Sequence, residues 1–207
     1  GSYGIGLAIA KEIQAGNNVF VASRTNENLD DLNVTYIPFD ALNDTLDLST
    51  LPAVIDGLVY CPGSINLRPF RGLKPEAFEN DLQINFISLV KVIQSVLPNL
   101  TASEQSSIVL FSSVAASMGM PFHTSVAASK GAIEGFAKAL AAEYAPKIRV
   151  NVIAPSLTDT PLADKFLNNE TKQEKSAERH PLKRFGKPED SAQMATFLLS
   201  DKSSWIS

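Results

Sequence analysis

The sequence predicts an α/β fold, a doubly wound parallel sheet in one domain spanning residues 1–207. Three observations predict it. Short apolar runs (Val19–Ala22, Val34–Ile37, Gly57–Cys61, Ile108–Phe111 and Ile148–Ile153) lack the in-out alternation of a half-solvated strand, as strands buried on both faces do. Stretches with helical apolar spacing separate several of these runs, the pattern of a parallel sheet covered on both sides. The runs end in Ser23-Arg24, Asp40, Pro62-Gly63, Ser112-Ser113 and Pro155, and ligands of such sheets sit beyond the carboxyl ends of the strands.

The elements follow in order. Gly4-Ile5-Gly6 opens a helix with apolar residues at 5, 9, 10 and 13, ended by Ala15-Gly16. After the first strand, Thr25 to Leu32 reads as a loop with a short helix. The second strand ends at Pro38-Phe39-Asp40, and residues 41–53 are irregular. The third strand stops at Pro62-Gly63. Pro75 suits a helix start, and Phe78, Leu82, Phe86, Leu89, Ile93 and Leu97 mark a long amphipathic helix to about Pro98. The fourth strand runs into Ser112-Ser113, and an alanine-rich helix covers about Thr124 to Tyr144. The fifth strand ends at Pro155. Residues 156–187 are polar and read as an insertion or lid. Pro188 opens a last helix to Leu199.

Composition narrows the function. The net charge of −4 comes without a basic cluster, which argues against nucleic acid as a partner. No apolar run approaches the roughly 18 residues of a membrane span, and no signal-peptide pattern is present. The one cysteine, Cys61, has no internal disulfide partner, so a reducing cytoplasm is the expected location. Two histidines and one cysteine show no metal-site spacing.

Several residues carry chemistry. Gly4, Ile5 and Gly6 at the mouth of the first helix let backbone approach a pyrophosphate at the helix's positive end. Ser23 and Arg24 close the strand that follows. An acidic residue there would bind the ribose hydroxyls of NAD, whereas an arginine accommodates the 2′-phosphate of NADP. NADP is therefore expected rather than NAD; the alternative is a solvated arginine at a strand end. Asp40 either accepts from an adenine amine or caps a turn. Asn85, inside the apolar stripe of the long helix, either makes a structural hydrogen bond or orders a water beside a reaction site. Ser113 sets a hydroxyl at a strand end. Lys130 sets an amine among small residues in the first turns of the alanine-rich helix. The position one turn before Lys130 on the same face is Val126.

Taken together these residues resemble the short-chain dehydrogenase/reductase family, a Rossmann-fold family, over essentially the whole chain. In the family's T-G-x-x-x-G-x-G motif, Gly1-Ser2-Tyr3 fit the variable positions and Gly4 and Gly6 the last two glycines. Of N-N-A-G, Tyr60-Cys61-Pro62-Gly63 keeps only the glycine. Asn85, Ser113 and Lys130 match the catalytic asparagine, serine and Y-x-x-x-K lysine. Asn151 to Ser156 resembles N-x-x-x-P-G, and Pro181 to Asp190 is similar to P-L-x-R-x-G-x-P-E-[DE].

The resemblance implies roles. Pro155, Thr158 and Thr160 would line the cofactor, with Thr160 at the nicotinamide carboxamide, while Lys130 would hold the nicotinamide ribose. Ser113 would polarise a substrate carbonyl and Asn85 would hold a relay water. A homodimer or homotetramer would form through the two long helices, aided by Gly131 and Gly135. The first strand, central in the sheet, and the last strand would lie outside this sequence, so the natural protein is expected to be longer on both sides. The departure that matters is Val126, where the family has the tyrosine that exchanges the alcohol proton. General acid–base catalysis contributes about 10²–10⁴ in rate. The implied function is an NADP-dependent oxidoreductase acting on a small carbonyl or alcohol with a non-standard proton donor. His123 is the nearest titratable side chain, either a loop histidine or the substitute donor, and a water held by Ser113 and Lys130 is the other candidate. The second reading is a dinucleotide-binding protein without dehydrogenase chemistry, a sensor or assembly partner.

Overall fold

The structure is a computed structural model and describes residues 1–207. The elements run α1 (Gly4–Ile13), β1 (Val19–Ser23), β2 (Val34–Pro38), β3 (Gly57–Tyr60), α2 (Pro75–Leu82), α3 (Ser88–Ala102), β4 (Ser106–Phe111), α4 (Thr124–Tyr144), β5 (Ile148–Ile153), α5 (Asp164–Leu167), α6 (Glu170–Arg179) and α7 (Pro188–Leu199). All strand pairings are parallel, in two pieces: β1 with β2, and β3–β4–β5. β1 and β3 share no ladder. Gly1 lies beside the carboxyl end of β1, with its amine 3.4 Å from the Ala22 carbonyl oxygen.

β4 shows why this is a doubly wound sheet. All six of its residues are buried. Successive side chains point to opposite faces, and Ile108 and Leu110 join one core while Val109 and Phe111 join another. The first core holds Leu89, Val92, Ile93, Val96 and Leu100 of α3, Ile133, Ala137 and Leu140 of α4, and Ile148 and Val150 of β5. The second packs Ala8 and Ile9 of α1 against Ala192, Ala195 and Leu198 of α7. Arg149 pins the end of the chain to β5, its guanidinium donating to the carbonyls of Leu198, Ser200 and Ile206.

The structure departs from the sequence reading in four places. No helix forms between Thr25 and Leu32: Asn28 takes a left-handed backbone (φ 65°), and Leu29 is buried against α1 and β1. The long helix does not stop near Pro98. It runs to Ala102, because Leu100 is wholly buried and the Thr101 hydroxyl caps the carbonyls of Leu97 and Pro98. Between α2 and α3 it also widens into a π turn over Gln83–Ile87. There the Tyr60 hydroxyl takes up the Ile84 carbonyl at 2.9 Å, an insertion of the kind that locally disturbs a helical ladder. The 156–187 segment contains α5 and α6. Helix α6 buries no residue and is capped locally by Asn169, so no apolar period marked it.

The continuous helix Pro75–Ala102 is long and apolar enough to cross a membrane by length and composition alone, which the sequence reading did not anticipate. Its apolar C-terminal half instead lies on β4 and β5 in the first core. Leu100→Ala, in the turn beyond Pro98, is expected to destabilise the fold by about 2–5 kcal/mol. Thermal or urea unfolding against the parent measures it; an unchanged midpoint would contradict the packing described.

Candidate active site

The site lies at the carboxyl ends of the strands. Tyr3, the N-cap of α1, gives no side-chain cap, and the N–H groups of Gly4, Ile5 and Gly6 make no hydrogen bond, leaving the helix's positive end open to an anion. Gly4 has φ +54°, and a Cβ there would stand 3.1 Å from the Thr160 methyl. Only glycine suits that turn, and the contact brings the segment after β5 against the glycine loop. Hydrogen bonds hold this segment in place: Val114 N–H donates to the Pro155 carbonyl, Gly186 N–H to Leu157, and Asp159 N–H to Gly186. The Thr158 hydroxyl donates to Ser156 and that of Thr160 to Thr158.

At the end of β1, Ser23 donates to the Thr25 carbonyl. Arg24 is exposed and makes no ion pair or hydrogen bond, so its guanidinium is free for a phosphate. Asp40 caps its own turn, as one of its two readings held. Its carboxylate accepts from Leu42 N–H (3.0 Å) and Asn43 Nδ2 (2.9 Å), and these bonds, with Arg24 nearby, hold its pKa below the ordinary range.

Lys130 is the centre of the second half. It is buried (8% exposed), and its Nζ donates to the Phe111 carbonyl at 2.9 Å, at the end of β4 two residues before Ser113. The other two Nζ protons have no partner in the chain. Burial pushes its pKa down to about 8, with Cys61 and then Asp81 acting in the opposite direction. Gly63 closes the space beside it: a Cβ there would stand 3.0 Å from Asn85 Oδ1 and 3.3 Å from Lys130 Nζ. Ser113 caps a turn, its Oγ accepting from Ala115 N–H at 3.2 Å and keeping its own proton to donate. Ser112 anchors α4 to β4 through Glu134 (2.6 Å) and the Lys130 carbonyl (3.3 Å).

Asn85, wholly buried in the π turn, makes hydrogen bonds with Ser64 and Ser129. The structure thus brings Gly63, Asn85 and Lys130 to one point. It does not bring His123 there. Helix α4 starts at Thr124, so His123 lies outside it, and its Nδ1 is held by the Pro121 carbonyl at 2.7 Å. Val126 is 4% exposed and, four residues before Lys130, presents hydrocarbon on the same helix face.

Sequence reasoning missed Ser64, Asp81 and Ser129. Asp81 is 3% exposed, one turn before Asn85, and Ser64 and Ser129 are the hydroxyls that accept from that asparagine. The i, i+4 spacing of Asp81 and Asn85 was the available signal. The apolar stripe through Leu82 and Phe86 hid it, because the buried face at this end of the helix is polar.

These residues fit a dinucleotide: free N–H groups at a helix start, an unpaired arginine beyond β1, and a buried ammonium with two unspent protons. Known proteins show the same arrangement of chain. A family model described as enoyl-(acyl carrier protein) reductase matches residues 1–207. The chain is 39% identical to the 3-oxoacyl-[acyl-carrier-protein] reductase of Thermotoga maritima, over 65% of this chain and 54% of that protein, so this match spans about half the relative's length. It is 31% identical to the L-xylulose reductase of Bos taurus, over 97% of this chain and 86% of that one. Among solved structures, an oxidoreductase of the short chain dehydrogenase/reductase family from Burkholderia thailandensis superposes with a TM-score of 0.89 at 27% identity, covering 100% of this chain and 85% of its own. With the parallel sheet, the glycine loop and the Asn85–Ser113–Lys130 set, these matches establish that the chain belongs to the short-chain dehydrogenase/reductase family.

Proposed function

We propose that this protein is an NADP-dependent oxidoreductase that interconverts a small carbonyl and its alcohol, with a proton donor other than the family tyrosine. The observation that carries the reading is the buried Lys130 ammonium, held at the end of β4 with two protons unspent. The N–H groups of Gly4, Ile5 and Gly6 would hold the pyrophosphate and Arg24 the 2′-phosphate, while the Ser23 hydroxyl and the Asp40 carboxylate are engaged in their own turns. Pro155, Thr158 and Thr160 would line the nicotinamide end, beside Gly63. Bound there, the cofactor supplies or accepts a hydride at carbon. Ser113 donates to the substrate oxygen. Lys130 binds the ribose hydroxyls, and its pKa near 8 suits it to pass a proton toward that oxygen through a water held with Ser113.

His123 is not the donor in this reading, since its ring is turned to Pro121. Homo-oligomerisation is part of the proposal: Gly131 and Gly135 have no atom within 4 Å of where a Cβ would stand, so that face of α4 is open to a second helix. The lid role of 156–187 belongs to it as well, supported by Lys165, whose Nζ reaches the Ile65 carbonyl across the loop that follows β3.

The hydrocarbon of Val126 favours a second reading, dinucleotide binding without turnover. Consumption of NADPH against a panel of aldehydes and ketones separates the two. The parent is expected to turn over slowly. His123→Ala should leave the rate within about threefold, and Ser113→Ala should lower it by about 10²-fold or more. A silent parent that Val126→Tyr awakens would establish the binding protein instead. A second measurement is the pH dependence of NADPH affinity. Lys130 is charged below its pKa, so affinity should be constant at neutral pH and fall as the pH rises through about 8; Lys130→Met should bind weakly at every pH. A pH-independent affinity in the parent would contradict the role of the ammonium.

A further inference from the structure

Asp81 has no part in the reaction as described, yet it is 3% exposed and one turn before Asn85. Its Oδ1 accepts the Ser64 hydroxyl at 2.6 Å, and its Oδ2 has no partner in the chain. Ser64 has one hydroxyl proton, and an ionised carboxylate only accepts. Ser64 Oγ must therefore receive, and does receive, Asn85 Nδ2 at 2.9 Å. The Ser129 hydroxyl proton is likewise spent on the Val126 carbonyl at 3.0 Å, so Ser129 Oγ also receives Asn85 Nδ2, at 3.0 Å. Both amide protons of Asn85 are committed away from Lys130. Its Oδ1 is left to face Ser64 N–H at 3.1 Å and the space shared by Gly63 and Lys130 Nζ.

We infer that Asp81 is a positioning residue of this site: through Ser64 it fixes the Asn85 amide with its carbonyl oxygen toward Lys130, and its charge balances the buried ammonium. Without the carboxylate, Ser64 is free to donate to Asn85 instead. The amide is then free to turn and present N–H groups to a cation. The other charged or titratable groups around Lys130 do not duplicate Asp81. Cys61, just beyond β3, raises the Lys130 pKa more than Asp81 does, but only as a thiolate. Burial raises its own pKa, so near neutral pH it is the uncharged thiol and Asp81 supplies the standing negative charge. The Gly1 amine lies beyond Cys61, and Glu134, one turn along α4, is taken by Ser112. Asp81 is thus the carboxylate that Lys130 feels, and it acts against the burial that lowers the lysine. A buried carboxylate with one oxygen unpartnered is costly to retain for packing alone.

The inference rests on the reading of Lys130 as the functional ammonium, but its test reads Lys130 without cofactor or turnover. Cofactor-free protein carrying lysine labelled with ¹³C at Cε is titrated by NMR from neutral to alkaline pH, the Lys130 signal being the one lost in Lys130→Arg. In Asp81→Asn, which keeps the side chain's volume, the Lys130 midpoint is expected to fall by about one pH unit, a tenfold loss of proton affinity. Asp81→Glu should restore it toward the parent value. An unchanged midpoint in Asp81→Asn overturns the inference, whatever happens to thermal stability. If Asp81→Asn does not fold, Ser64→Ala carries the test. The Asn85 side-chain amide signals should then shift and exchange faster with solvent, and unchanged signals overturn the inference. Loss of turnover or of cofactor binding with the Lys130 titration as expected would instead strike at the proposed function alone.

Discussion

The hydrogen bond from Lys130 Nζ to the Phe111 carbonyl is the interaction on which the site depends. Placing an ammonium in a buried setting is unfavourable unless polar groups surround it. The chain meets that demand in part: the last carbonyl of β4 accepts one proton, the charge of Asp81 favours the ammonium, and the Asn85 amide oxygen lies near the same space beside Gly63 without bonding to it. Each comes from a different element, so the sheet, the π turn and α4 must all be formed before the amine has its surroundings. The two sides of β4 are equally constrained, since Ile108 and Leu110 pack on α3 and α4 while Val109 and Phe111 pack on α1 and α7.

Much of this was legible in the sequence. The bounds of α4 and β5 follow from apolar spacing and flanking residues, because both elements bury a continuous face against β4. Ser113 and Lys130 were legible as a strand-end hydroxyl and an amine among small residues. What stayed hidden was set by tertiary contacts. The π turn arises from Tyr60, 24 residues away from Ile84 in sequence. Helix α6 has local caps and no buried face, so its sequence carries no period. Asp81 lies beside an apolar stripe that hid its burial, and its meaning depends on Ser64, which a loop brings to it.

The family's fold, with Asn85, Ser113 and Lys130, is therefore retained around a position, Val126, whose side chain is hydrocarbon. Val126 does not leave a hole: it is 4% exposed, and its carbonyl takes the Ser129 hydroxyl that orients Asn85. A polar network of Asp81, Ser64, Asn85 and Ser129 stands next to it, directed at Lys130. The hydrogen bonds among these side chains favour one arrangement of the Asn85 amide, although Asp81 Oδ2 has no partner. In the proposed function the lysine is the group that this arrangement serves, and proton exchange proceeds without a tyrosine at position 126.

The most direct test of this account is a crystal structure of the protein grown with NADPH. The account predicts the pyrophosphate on the N–H groups of Gly4, Ile5 and Gly6, the 2′-phosphate at Arg24, and the nicotinamide ribose on Lys130 Nζ. Cofactor bound elsewhere, or bound with Lys130 still engaged only by the Phe111 carbonyl, would contradict it.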